Sequence, residues 1–187
     1  ASPRALPAVM CSTRCNPAAR SAEHQGDNFR QSDVEIAVSR TENKRDFAAR
    51  LLRPEDCLCA NEERGAGQMN ECSTRLVRTF FDRSNCPETN FFIGEVVHFP
   101  GKWSSYPPHQ HVEPELYYYK FLPENGYGLA EYGDDAFKVK NNDLTGMPEN
   151  VTHSQAAAPG YAEYYLWCIR LQDDKNIVTT VVPSMSG

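Results

Sequence analysis

The feature that most restricts this chain is His109-Gln-His111, followed by Glu115 and, on a later segment, by Pro148-Glu-Asn-Val-Thr-His153. Only five histidines occur, and three belong to this pattern. Residues two apart on a strand share a face, so His109 and His111 are expected to converge on one ion. Glu115 has the same parity and opens the next apolar run, and His153 offers a further imidazole. Three neutral imidazoles and one carboxylate suit a divalent ion, Zn or Mn first, with Fe, Ni or Co also accommodated. A single histidine is ordinarily a hydrogen-bonded polar residue. His24 and His98 are read that way, as structural or surface residues.

The pattern lies within a succession of short strands. Arg75–Phe81, Phe91–Phe99, Glu115–Phe121, Tyr127–Tyr132, Ala136–Val139, Tyr161–Leu171 and Ile177–Val182 are rich in β-branched and aromatic residues. Gly133-Asp134-Asp135 and Asn141-Asn142-Asp143 separate runs as turns. Many short strands without a helical period define an all-β sandwich or barrel. Further upstream, Asp33–Arg40 alternates and reads as a strand. Phe47–Leu52 reads as another, stopped by Pro54, and Glu62–Asn70 reads as a loop. Residues before Asp33 are rich in Ala, Pro, Ser, Asn and Arg and specify no element. The expected organisation is an irregular segment with partial strands over 1–60 and a metal-binding barrel over 61–187.

The formal charge of −6 and the scattered Lys and Arg argue against nucleic acid and against an anionic membrane surface. No run approaches the roughly 18–20 apolar residues of a membrane helix. The opening Ala1-Ser2-Pro3-Arg4 has no long apolar stretch, so a cytoplasmic location is expected. Seven cysteines are present. Cys11 and Cys15 are four apart and Cys57 and Cys59 two apart, which does not complete a four-ligand zinc site, and free thiols are expected.

Beyond its spacing, the chain carries longer words: Gly94-Glu95-Val96, Trp103-Ser-Ser-Tyr-Pro-Pro-His109, Glu115-Leu-Tyr-Tyr-Tyr-Lys-Phe121, Ala157-Ala-Pro-Gly-Tyr161 and Tyr164-Tyr-Leu166. The histidine spacing resembles the two motifs of the cupins. The words are similar to the 5-deoxy-glucuronate isomerase family of myo-inositol catabolism, related to the ketol-isomerases of 5-keto-4-deoxyuronate. The resemblance covers about Phe47–Val182, and Arg50-Leu-Leu-Arg-Pro-Glu-Asp56 looks like that family's connection between barrels. It implies a cupin (double-stranded β-helix, or jelly-roll) with remnant strands of a first barrel. Family members resemble bicupins, whereas here the segment before Arg50 is short. The stretch from His111 to Glu115 is also shorter than in many relatives and lacks their acidic residue after the second histidine.

The resemblance further implies an aldose–ketose isomerisation, 5-deoxy-D-glucuronate to 5-dehydro-2-deoxy-D-gluconate, with one divalent metal held by His109, His111, Glu115 and His153. Parity turns Tyr117 and Tyr119 inward with Glu115, as catalytic candidates or as barrel-filling aromatics, and turns Tyr118 and Lys120 outward. Arg78 and Arg170 are candidates for the substrate carboxylate, and Tyr106 for another substrate contact. The expected partner is a small sugar acid, and a homo-oligomer is expected. Two rivals are a redox-active cupin oxygenase, separable by oxygen dependence, and a non-catalytic sugar-acid-binding cupin, separable by turnover.

Overall fold

The computed structural model describes residues 9–11, 35–173 and 175–182. Thirteen strands follow one another: β1 (Val9–Cys11), β2 (Arg50–Leu52), β3 (Cys59–Arg64), β4 (Arg75–Phe81), β5 (Phe91–His98), β6 (Trp103–Gln110), β7 (Glu115–Leu122), β8 (Tyr127–Tyr132), β9 (Asp135–Lys140), β10 (Leu144–Met147), β11 (His153–Ala157), β12 (Ala162–Arg170) and β13 (Thr180–Val181). The only helical pieces among the described residues are two single 3₁₀ turns, Pro54–Asp56 and Met69–Glu71. The expected all-β class is what the chain adopts.

Every pairing is antiparallel. One sheet has the order β10-β7-β12-β5-β4-β3, a second has β13-β6-β11-β8-β9, and β1 pairs with β2. Strands far apart in sequence are neighbours in both large sheets, which is the crossed connectivity of a jelly roll. Side chains from both sheets meet in one core. Val77, Val96, Tyr117, Tyr119, Phe121, Tyr165, Trp167 and Ile169 come from the first sheet, and Ala130 and Val139 from the second. Alternation is clear on β7, where Glu115, Tyr117, Tyr119 and Phe121 are buried, while Leu116 and Leu122 are exposed. Tyr118 and Lys120 point outward and bind the Glu35 carboxylate at 2.5 and 2.6 Å.

The first sheet is covered on its outer side as well. Leu52, Phe80, Phe81, Cys86, Ile93 and Cys168 form a second core there, with Phe47, Cys57, Phe91 and Leu166 against it. This is why β4 and β5 read as near-continuous apolar runs rather than alternating ones. Close packing also explains Gly94, which faces Trp167 across the β5–β12 ladder. A Cβ there would sit 2.3 Å from Trp167 Cζ2 and 2.4 Å from the Arg78 carbonyl oxygen.

Several local expectations change. Residues 35–40 form no strand and instead cross the outer side, lining a cleft of about 370 Å³ with Phe91, Leu116, Leu144 and Leu166. Asp33, Val34 and His24 lie outside the described residues. The expected loop at Glu62–Asn70 begins inside β3, which pairs with β4 through Glu62↔Val77 and Arg64↔Arg75. Of β6 only the part around His109 was expected as strand, and β10 and β11 were not, because Pro107, Pro108 and the small polar residues of Ser154-Gln155 obscure the β pattern.

Candidate metal centre

His109 stands near the end of β6, and His111 lies in the bend after it rather than on the strand. The two rings therefore do not converge by simple strand parity; the turn of the chain at Gln110–Val112 brings the second imidazole round. β6 itself is irregular: Ser105 takes a left-handed φ of 52° and the Tyr106–Pro107 bond is cis. The β6–β11 ladder slips by an irregularity, pairing His153 with His109 but Gln155 with Ser104. Glu115 opens β7 and His153 opens β11, so four elements deliver one side chain each.

Nitrogen atoms of His109, His111 and His153 all lie within 4.8 Å of one another. Ring centroids are 4.3 Å apart for His109–His153 and 5.3 Å for His111–His153. Glu115 Oε2 joins them, 3.1 Å from His111 Nε2 and 3.6 Å from His153 Nε2. The outer nitrogens are fixed by backbone. The Nδ1–H of His111 donates to the Glu113 carbonyl at 2.8 Å and that of His153 to the Val151 carbonyl at 3.0 Å. These bonds set the tautomer and aim each Nε2 lone pair at the centre, as in metal sites whose ligating imidazoles are held from behind.

The electrostatics suit ligation. Burial, reinforced by its neighbours His109 and His111, pushes His153 down to about 3. Burial, with the charges of His111 and Arg75, pushes His109 down to about 4. Both imidazoles are neutral at pH 7, the state that binds a cation. Burial raises the Glu115 carboxyl. Burial lowers His111, but its contacts with Glu115 and Glu113 together carry it above its ordinary value. His153 Nε2 is fully buried and has no hydrogen-bond partner among the described residues. A buried lone pair without a donor is costly, and a cation between the rings satisfies it. The donor set therefore fits a metal ion.

Tyr117 lies against the cluster, 6.1 Å from the His153 ring, and hydrogen-bonds to Glu115. Tyr119 is deeper and is engaged with Gln155 Oε1 at 3.0 Å and Thr145 Oγ1 at 3.2 Å. Burial pushes both phenols well up, so each carries its proton at neutral pH. Tyr106, on β6, packs against Trp103 with ring centroids 5.6 Å apart.

The structure does not bring the two arginines of the sequence reading to this cluster. Arg78 alternates with inward-facing Val77 and pairs with Glu95 at 2.6 Å. Arg170 sits on the outward parity of β12, 3.5 Å from Asp173. Of the two roles expected for His98, structural or surface, the structure shows the first, with a partner that sequence did not signal: its Nε2 lies 3.2 Å from Glu163 Oε1, both side chains being fully buried. Gly128 makes space for this pair, since a Cβ there would lie 2.1 Å from Glu163 Oε2.

A two-sheet antiparallel jelly roll with a histidine–carboxylate cluster inside is a cupin. The KduI/IolB family model matches residues 21–183, and the chain belongs to that family. Proteins named 5-deoxy-glucuronate isomerase are similar to it. The one from Geobacillus kaustophilus is 35% identical over 72% of this chain and 51% of its own length. The one from Geobacillus thermodenitrificans is 33% identical over 72% of this chain and 52% of its own. The crystal structure of an IolB-like protein from Salmonella typhimurium LT2 superposes with a TM-score of 0.66 at 26% identity, covering 75% of this chain and 56% of that one. The chain thus spans about half the length of the curated relatives it matches. No described helix is long and apolar enough to cross a membrane.

Proposed function

We propose that this chain is a metal-dependent aldose–ketose isomerase that converts 5-deoxy-D-glucuronate to 5-dehydro-2-deoxy-D-gluconate in cytoplasmic inositol catabolism. The observation that carries this reading is the convergence of His109, His111, His153 and Glu115 in a chain of the KduI/IolB family. These four residues would hold one divalent ion, Zn or Mn first, with Fe, Ni or Co compatible with the same donors. When bound, the ion supplies Lewis-acid polarisation of the substrate carbonyl and stabilises negative charge developing on the substrate oxygens.

The chain's own residues supply the rest. Val151 and Glu113 carbonyls keep two imidazoles oriented. Tyr117 keeps its proton and donates to Glu115, holding that carboxylate toward the cluster. Tyr119, Gln155, Thr145 and Tyr132 form a hydrogen-bonded wall within the barrel, available to sugar hydroxyls. The apolar core around Val77, Val96 and Trp167 limits water behind them. A homo-oligomer is part of the same reading, since Leu122 and Leu144 are 73% and 65% exposed on the outer side of the first sheet.

The test is to mix the metal-loaded protein with 5-deoxy-D-glucuronate and follow the sugar by NMR, beside a His153→Ala control. Ketose formed by the wild type alone is the expected result. Absence of turnover with one metal bound per chain would remove the catalytic claim and leave a metal-binding cupin.

A further inference from the structure

We propose that Arg75 holds the carboxylate of the acid substrate. This rests on the reading above that the barrel binds a sugar acid at the metal centre. Arg75 opens β4 on the same face as Val77, an inward-packed core residue two positions on. Its neighbour across the ladder on β5 is His98, which is fully buried. The guanidinium is half-buried, and burial lowers its pKa. Its Nη1 donates to the Ser73 carbonyl at 2.7 Å, and no carboxylate among the described residues lies within ion-pair distance. A guanidinium withdrawn from water without an anion is unfavourable, and its free N–H fork matches a carboxylate.

The β3–β4 register adds an independent observation. Arg64 lies directly opposite Arg75. Like charges facing each other across a ladder destabilise it. Glu62, 2.8 Å from Arg64, offsets one of the two charges and leaves the other. An anion at Arg75 removes the remaining imbalance. Arg78 and Arg170, by contrast, already meet Glu95 and Asp173.

Arg75 is also directed toward the chemistry. The Trp103 amide donates to the Cys72 carbonyl at 2.8 Å, tying the start of β6 to the residues just before β4. The next residue, Ser104, meets the Tyr165 hydroxyl at 2.5 Å. Tyr165 is raised to about 12 by burial, and Ser104, Ser105 and the Arg75 charge oppose that rise. The ladder neighbour of Arg75, His98, lies 5.7 Å from the Tyr165 ring, Tyr165 lies 5.3 Å from Tyr117, and Tyr117 lies 6.1 Å from His153, so a substrate spanning from the metal ligands to Arg75 would be a short acid with its carboxylate away from the metal.

The experiment uses the full metal-loaded chain and its Arg75→Gln and Arg75→Lys variants. Three quantities are read: metal per chain, kinetics with 5-deoxy-D-glucuronate, and equilibrium binding of D-glucuronate against its methyl ester. Arg75→Gln should retain one metal and raise KM and the D-glucuronate Kd by about 10- to 100-fold, the order for one charge-assisted hydrogen-bonded contact. Its affinity for the ester should be unchanged, and Arg75→Lys should recover part of the loss. Unchanged KM and unchanged acid-over-ester preference in Arg75→Gln would overturn the proposal. So would a wild-type protein that does not distinguish acid from ester. A wild type that binds the acid through Arg75 yet does not isomerise would remove the isomerase reading and leave this one standing. If Arg75→Gln fails to fold, the wild-type Arg75 Nε–H resonance decides: it should shift with D-glucuronate and not with the ester, and no shift overturns the proposal.

Discussion

Nε2 of His111 lies 3.1 Å from Oε2 of Glu115, and both groups have their pKa raised. For Glu115 the main cause is burial; for His111 burial works the other way and the contacts with Glu115 and Glu113 together exceed it. A proton is therefore held by the pair to higher pH than by a free imidazole and carboxylate when no metal is bound. Metal ligation requires both groups deprotonated. Binding of Zn should release protons from this pair, and apparent affinity should rise with pH as the pair deprotonates. His109 and His153, at about 4 and 3, are already neutral and contribute no release until the pH falls toward those values. Titration calorimetry in buffers of different ionisation enthalpy measures the count. Release of three protons would show that burial does not depress His109 and His153.

His153→Ala removes a fully buried ligand whose Nε2 has no hydrogen-bond partner among the described residues. Metal content after gel filtration should fall from one per chain to well below half. Affinity should fall by at least about 100-fold, above the 10- to 100-fold typical of losing a group behind a ligand. Elemental analysis checks the first figure and competition with a chelator the second.

Tyr117→Phe keeps the ring in the barrel and removes only the hydroxyl that holds Glu115. Metal affinity should weaken by about 10-fold, with little change in melting temperature. A variant with wild-type affinity would mean that Tyr117 serves the core alone.

The buried His98–Glu163 pair predicts a non-additive result. His98→Phe leaves the Glu163 carboxylate buried without its partner and should cost about 3–5 kcal/mol in urea unfolding. The double variant His98→Phe/Glu163→Leu should recover most of that loss, because apolar replacements remove the uncompensated charge. A single variant costing under about 1 kcal/mol would show that the pair is not an ionic one.

Gly94→Ala places a methyl 2.3 Å from the Trp167 ring and 2.4 Å from the Arg78 carbonyl. The backbone must move, and overpacking of this kind costs about 1–3 kcal/mol. A fall in melting temperature with altered Trp167 fluorescence is the expected outcome; an unchanged melting temperature would mean that the β5–β12 spacing is loose.

The inward turn of Tyr117 and Tyr119 was legible in the chain because β7 alternates cleanly, one face packed and the other wet. So was the all-β class, since turn residues punctuate short apolar runs. The inward arginine was not legible. Arg75 and Arg78 are three apart and so face opposite sides of β4, but Arg75-Leu-Val-Arg-Thr-Phe-Phe81 is apolar on both faces, and period-two alternation could not tell which side faces the barrel. Residues 35–58, packed on the outer side, cause that ambiguity. His98–Glu163 carried no local signal, because the partners are far apart in sequence and meet only through the β5–β12 ladder.

Sequence by itself determined the kind of donors, their approximate spacing and the strands of His109 and Glu115, because these depend on side-chain chemistry and local periodicity. Tertiary structure decided how the donors meet. The bend after β6 turns His111 toward His109, the β6–β11 slip sets His153 opposite His109, and the crossed sheet order places Arg75 rather than Arg78 on the inner face. Those outcomes depend on long-range pairing and on which face each sheet buries, which no single segment encodes.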